Sequence, residues 1–160
     1  MGIEIPQNKF LILDGAMGTV LQQRGLSPQG RPELLNLTEP ELLDSVYKEY
    51  IAAGSQVIYA NTFGANGLKL AKTGHSVEEV VGAAIAVAKR AAAGTGTLVA
   101  LDVGPLGELL EPMGTLSFER AYDLFREMAE AGAKAGADLI VVETMTDLYE
   151  AKAAPAERTV

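Results

Sequence analysis

Four short runs of consecutive apolar residues alternate with longer stretches in which apolar residues recur at helical spacing. The runs are Phe10–Leu13, Gln56–Ala60, Thr97–Leu101 and Leu139–Val142. They are apolar on successive positions and do not alternate with polar residues, which favours strands covered by helices on the outside. Glycine, proline, asparagine or aspartate follows each run, as is typical where a strand ends. The pattern therefore predicts four parallel strands.

Start and stop signals predict a helix after each strand. A serine, threonine or aspartate before an apolar stretch favours a helix start, whereas glycine or proline favours its end. In chain order, the predicted helices run from the capping box Thr38-Glu39-Pro40-Glu41 to about Ala53, from Ser76 to about Ala93, from Ser117 to just before Gly136, and from Asp147 to the interrupting Pro155. The order β-α-β-α-β-α-β-α is typical of parallel strands joined by right-handed crossovers.

Two architectures fit this order, namely part of a (β/α)₈ barrel and a complete, small doubly wound sheet. A full barrel needs ~250 residues, and this chain has 160. We therefore expect an α/β fold that forms the first half, about four β/α units, of a (β/α)₈ TIM-type barrel. Because Pro155 interrupts the last helix near its start, we expect residues 1–160 to be the N-terminal part of a truncated barrel domain.

Composition and charge narrow the function classes. The net charge is −8, and the 13 lysines and arginines are scattered along the chain, which argues against a nucleic-acid partner. No apolar run approaches the ~20 residues that a membrane span needs, and the first residues do not resemble a secretory signal. The chain has no cysteine, which is compatible with a reducing compartment. We therefore expect a cytoplasmic protein with no membrane partner.

Polar residues follow all four predicted strands. Active sites of parallel α/β folds lie at the carboxyl ends of the strands, so we expect a common pocket for a small polar ligand there. Turn and loop hydrogen bonds are the structural alternative for each residue. The candidate binding residues are Asp14, Gly15, Asn61, Thr62, Asp102 and Glu143. The residues by themselves assign no catalytic group, and Schiff-base chemistry is not favoured because the lysines fall on helices or, for Lys69 and Lys72, in a loop or short helix.

Several motifs resemble the homocysteine S-methyltransferase family when they are taken together. These motifs are Leu13-Asp14-Gly15-Ala16-Met17-Gly18-Thr19, Glu33-Leu34-Leu35-Asn36, Tyr59-Ala60-Asn61-Thr62-Phe63-Gly64-Ala65-Asn66, Asp102-Val103-Gly104-Pro105 and Val142-Glu143-Thr144-Met145. Within the family, their order and spacing are most similar to the N-terminal homocysteine-binding barrel of bacterial cobalamin-dependent methionine synthases. The resemblance extends over nearly the whole chain, to about Ala154.

The resemblance implies a barrel that transfers a methyl group to homocysteine to give methionine. Zinc would convert the thiol into a nucleophilic thiolate, and methylcobalamin would be the donor. Asp14 and Gly15 would contact the amino-acid part of homocysteine, Glu143 its ammonium, and Asn61 and Thr62 the mouth of the site. The implied partners are homocysteine and the cobalamin- and folate-binding modules of the full protein.

The family's zinc ligands are three cysteines, and this chain has none. No zinc ligand is therefore assigned, and we expect the isolated chain to be inactive. S-methylmethionine and betaine stay open as methyl donors. A different class also stays open, namely a non-catalytic α/β module that binds a small amino acid or self-associates through the strand edges Phe10–Leu13 and Leu139–Val142.

Overall fold

Three parallel strands form a single sheet at the centre of the chain. The structure, a computed structural model, describes residues 10–27 and 30–155. The strands are β1 (Val57–Tyr59), β2 (Leu98–Val103) and β3 (Leu139–Val142), in the order β1-β2-β3. Val57 pairs with Leu98, and Ala100 pairs with Leu139. This topology confirms the predicted α/β class with parallel strands.

Helices connect the strands at nearly the predicted positions. They are α1 (Met17–Gln23), α2 (Leu35–Thr38), α3 (Pro40–Ala52), α4 (Gly67–Leu70), α5 (Val77–Ala92), α6 (Phe118–Ala135) and α7 (Leu148–Ala153), with a 3₁₀ turn at Pro32–Leu34. Gly136 ends α6 in the left-handed conformation, with φ of 88°, which a residue without Cβ adopts at low cost. Within the two described ranges, none of the helices has the length and apolar content to cross a membrane.

The predicted first strand, Phe10–Leu13, is wrong as a regular strand. Leu13 forms only an isolated parallel bridge to Val57, and the N–H groups of Gln56 and Val57 both donate to Ile12 O, at 2.7 and 3.2 Å. Phe10 is 96% exposed and Ile12 is 57% exposed. The segment lies at the edge of the sheet, where it is bonded on one side only. Its side chains therefore lack the packing that stabilises a regular strand.

The start of α3 also differs from the predicted capping box. Thr38 belongs to α2, and its Oγ1 donates to Leu34 O at 3.3 Å. Glu39 is the N-cap of α3 and makes no side-chain capping bond. Ser76 and Ser117, in contrast, cap α5 and α6 as predicted, since each accepts a hydrogen bond from the N–H three residues later, at 3.1 and 3.2 Å.

The core lies between the sheet and one layer of helices. Ile58, Val99 and Leu101 of the strands are buried with Tyr47 of α3 and Phe125 of α6. Each large apolar side chain of this kind contributes roughly 1.5–3 kcal/mol when it leaves water. This packing fixes the three strands relative to one another, so that their carboxyl ends meet at one edge of the sheet.

Candidate functional site

An open cavity of about 570 Å³ lies at the carboxyl ends of the strands. Its wall includes residues 14–19, the start of the 3₁₀ turn, the segment that leaves β1, and one residue each from β2 and the end of β3. Five of the six predicted site residues line it, namely Asp14, Gly15, Asn61, Asp102 and Glu143. These strand ends therefore lie around one cavity, and the binding role of the five residues stays a prediction.

Asp14 is a partly buried carboxyl group at the edge of this cavity. Its Oδ2 accepts a hydrogen bond from Tyr59 N at 3.0 Å, and its own N–H donates to Val57 O at 3.0 Å. Its Oδ1 is buried with no hydrogen-bond partner among the described residues. Burial raises the pKa of Asp14 to about 7, against the effect of the Tyr59 bond, and the negative charge of Glu143 adds to the rise.

Asp102 is the most deeply buried acid of the cavity, at 7% exposed. Its Oδ1 is likewise buried without a partner in the described part of the chain. Burial, together with the negative charges of Glu143, Asp14 and Glu33, raises the pKa of Asp102 to about 8. A buried carboxylate is costly unless it is paired. Two such groups beside one cavity therefore favour a cationic ligand, which would supply the missing partner.

Thr62 does not line the cavity, unlike the other predicted site residues. It is fully buried, and its Oγ1 donates a hydrogen bond to Asp102 O at 2.8 Å. The N–H of Asp102 in turn donates to Thr62 Oγ1 at 3.0 Å. These two bonds tie the loop after β1 to β2. The position of Thr62 thus indicates that it fixes the backbone that carries Asp102.

Asn61 connects the cavity to the turn beside it. Its N–H donates to the Tyr47 hydroxyl at 2.8 Å, and its Nδ2 donates to Pro32 O at 2.6 Å. Its carbonyl accepts from Asn36 Nδ2 at 2.8 Å. The side chain and the backbone carbonyl of Asn61 therefore both help to hold the turn that carries Glu33 against the end of β1.

Glu33 and Phe63 line the cavity, although the sequence did not single them out as site residues. A Cβ on Gly64 would overlap the Glu33 carboxylate, and a Cβ on Gly104 would lie 2.5 Å from the Phe63 ring. Both side chains thus occupy space that a glycine leaves free. Each side chain pairs with a glycine that is distant in sequence, and such a pairing depends on the fold. The family motifs that contain Glu33 and Phe63 were the one signal in the sequence that could have indicated these two residues.

The side chains of this cavity do not fit a zinc site of the kind that the resemblance implies. The chain has no cysteine and one histidine. That residue, His75, lies away from the cavity, with its Nδ1 3.0 Å from Glu79 Oε2. In residues 10–27 and 30–155, no three histidine, cysteine or acidic residues are arranged to hold a metal ion. The acidic lining of the cavity, with Asp14, Asp102 and Glu143, is instead complementary in charge to a polar, cationic molecule.

Comparison with known sequences gives one consistent result. A family model described as homocysteine S-methyltransferase matches residues 11–159. The chain is 32% identical over 167 aligned positions to the methionine synthase of Mycobacterium tuberculosis, and 31% identical to that of Mycobacterium leprae. Each alignment covers 95% of this chain and 14% of the relative. The chain thus spans about one seventh of the length of these curated relatives.

Solved structures show the same relationship. The fold matches the oxidized form of the homocysteine methyltransferase MmuM from Escherichia coli with a TM-score of 0.79 at 29% identity, over 92% of this chain and 57% of that chain. The metallated form of MmuM matches with a TM-score of 0.78 at 28% identity, over 91% and 58%. The match covers about half of a homocysteine methyltransferase TIM barrel, which confirms the predicted fold class.

Proposed function

The chain belongs to the homocysteine S-methyltransferase family, and we propose that it supplies the surface that holds the amino-acid part of homocysteine during methyl transfer to its sulfur. The observation that carries this proposal is the cavity at the strand ends, which is lined by Asp14, Glu33, Asp102 and Glu143. The ammonium of an amino acid is the kind of cation that these carboxylates would neutralise.

Each part of the substrate would have a complementary group in the cavity. Asp14, Asp102 and Glu143 would surround the ammonium. Gly15 has no side chain and is exposed at the cavity, so its backbone would face the substrate carboxylate. Phe63 would contact the methylene groups that lead to the sulfur.

The remaining chemistry belongs to the whole protein in this proposal. Zinc would activate the sulfur and methylcobalamin would donate the methyl group, with folate- and cobalamin-binding modules as partners and the cytoplasm as the location. Residues 1–160 would be the N-terminal part of the homocysteine-binding barrel. Because these residues form no thiolate zinc site, the part proposed for them is confined to binding and orienting homocysteine.

Titration calorimetry with L-homocysteine and with 4-mercaptobutanoate, which lacks the amino group, tests this proposal. We expect the analogue to bind at least tenfold more weakly, and Glu143→Gln to weaken homocysteine about tenfold or more, because one charge-assisted hydrogen bond is worth about 1.5–3 kcal/mol. Glu143→Gln should leave the affinity for 4-mercaptobutanoate unchanged. The matched control is Glu108→Gln, at an exposed acid outside the cavity. Equal binding of the two compounds would contradict the proposed role.

The 160-residue chain alone is expected to form no methionine from homocysteine, zinc and a methyl donor. The reason is that a thiol without a metal ligand set is mostly protonated at neutral pH. Mass spectrometry of the reaction mixture measures this directly. Methionine formation above a no-protein control would show that residues of this chain suffice for catalysis.

A second candidate function is self-association without catalysis. Phe10, Ile12 and Ile140 are 96%, 57% and 49% exposed at the two edges of the sheet, and open edges of this kind can pair with another chain. Sedimentation equilibrium separates the candidates. A stable dimer that does not bind homocysteine favours self-association, and a monomer that binds homocysteine favours the enzyme role.

A further inference from the structure

Lys69 of α4 connects two segments that line the cavity to the loop after β2, although it does not line the cavity itself. Its Nζ donates to Pro105 O at 2.8 Å and lies 5.4 Å from the centre of the Phe63 ring. Its backbone carbonyl accepts a hydrogen bond from Arg31 Nη1. The lysine thus contacts the loop after β2, the loop after β1 and the turn that carries Glu33.

Two glycines set the path of the Lys69 side chain between these loops. A Cβ on Gly107 would lie 3.2 Å from Lys69 Cε, and a Cβ on Gly64 would lie 3.4 Å from Lys69 Cδ. The first of these distances is too short for a comfortable contact. The stem of the lysine therefore occupies a channel that both loops leave open for it.

The charge of Lys69 is held by acidic groups and by a backbone carbonyl. Burial lowers the pKa of Lys69, while the charges of Glu33 and Glu150 oppose that change. Glu150 is only 4% exposed, and its Oε1 accepts a hydrogen bond from Leu106 N at 2.7 Å. Consecutive residues of the loop after β2 are thus bonded from two sides, Pro105 by Lys69 and Leu106 by Glu150.

Lys69 differs in this respect from other lysines of the chain. Lys48, Lys89 and Lys134 each pair with a carboxylate, and their side chains are more than one third exposed. Such surface pairs contribute little to structure. A half-buried ammonium that donates to a loop carbonyl instead fixes the course of that loop.

We infer that Lys69 is a positioning residue, which holds the Phe63 ring of the cavity wall against residues 104–106 of the loop behind it. The ring and the loop already touch, because Gly104 leaves room for the ring beside it, and Phe63 O accepts a hydrogen bond from Gly104 N at 3.2 Å. Lys69 donates a hydrogen bond to Pro105 in the loop, and its ammonium lies near the Phe63 ring. The inference rests on the proposed function, since the Phe63 ring would pack against a bound amino acid.

Fluorine NMR of the full chain labelled with 4-fluorophenylalanine tests this inference without a ligand. The chain has four phenylalanines, and Phe63→Leu identifies the Phe63 signal. We expect Lys69→Met, which keeps the stem and loses the ammonium, to shift and broaden that signal. Lys69→Arg can still donate to Pro105 O and should restore one sharp signal. Lys72→Met, at an exposed lysine one turn later, should leave it unchanged.

Binding supplies the second measurement. Lys69→Met should weaken the binding of L-homocysteine about two- to tenfold, because a Phe63 ring that is no longer held in place must be ordered on binding, and Lys69→Arg should recover most of that loss. If Lys69→Met does not fold, Lys69→Gln replaces it in both measurements. An unchanged Phe63 signal in the folded Met or Gln variant would overturn the inference. If the unmodified chain binds no homocysteine but the Phe63 signal responds as expected, the proposed function fails and the positioning role stands.

Discussion

Replacing Asp102 by asparagine is expected to stabilise the fold and at the same time to weaken the binding of homocysteine. Burial raises the pKa of Asp102 from 3.8 to about 8. A carboxyl group whose pKa is raised by folding stabilises the native state below its unfolded pKa, and that contribution is lost as the pH rises through the folded value. The native chain should therefore become less stable between about pH 4 and pH 8, whereas asparagine carries no charge at any pH.

The difference in the free energy of unfolding between Asp102→Asn and the native chain should thus grow with pH. One pKa unit corresponds to about 1.4 kcal/mol, and, after discounting for solvent and relaxation, we expect the gain of the variant to be on the order of 2 kcal/mol larger at pH 8.5 than at pH 5. Thermal unfolding at the two pH values measures it, with Glu108→Gln as a surface control. Homocysteine affinity should fall about tenfold or more in the same variant. An Asp102→Asn variant that is less stable than the native chain at pH 8.5 would contradict the proposed burial cost.

Gly104→Ala is expected to damage the fold and the cavity together. The added Cβ would lie 2.5 Å from the Phe63 ring, so the ring or the loop must move, and overpacking of this kind costs about 1–3 kcal/mol. The control is Gly82→Ala in the interior of α5, where a Cβ meets no atom within 4 Å. That substitution should stabilise the chain by about 0.5–1 kcal/mol, because alanine is the better helix former.

A double-mutant cycle with Phe63→Leu distinguishes this steric cause from a general loss of loop flexibility. If the ring is what the new methyl group meets, the combined variant should cost less than the sum of the two single variants. Urea unfolding gives the three free energies. Strict additivity would show that the two substitutions act independently and that the added methyl group does not meet the Phe63 ring.

The sequence predicts the site better where the signal is local. Polar residues directly after apolar runs place Asp14, Asn61, Asp102 and Glu143 at one edge, because parallel strands share their carboxyl ends. Thr62 has the same sequence signal but lies outside the cavity. Its hydroxyl is used by the Asp102 backbone, a contact 40 residues away that no local pattern reveals.

The features that the sequence did not predict depend on contacts between distant segments. Glu33 and Phe63 enter the cavity through space left by Gly64 and Gly104, which only the folded chain brings beside them. The predicted strand Phe10–Leu13 has the apolar composition of a strand, yet it is bonded on one side only. Composition reports the preference for burial, whereas the neighbour that provides burial is set by the fold.

The central claim is that the cavity at the strand ends binds homocysteine through its ammonium. An amide proton–nitrogen correlation spectrum of the chain, recorded during titration with L-homocysteine, tests it residue by residue. We expect saturable shifts at the amides of Gly15, Asn61 and Glu143, and no comparable shifts with 4-mercaptobutanoate at the same concentrations. Shifts that map to another surface, or that are the same for both compounds, would contradict the claim.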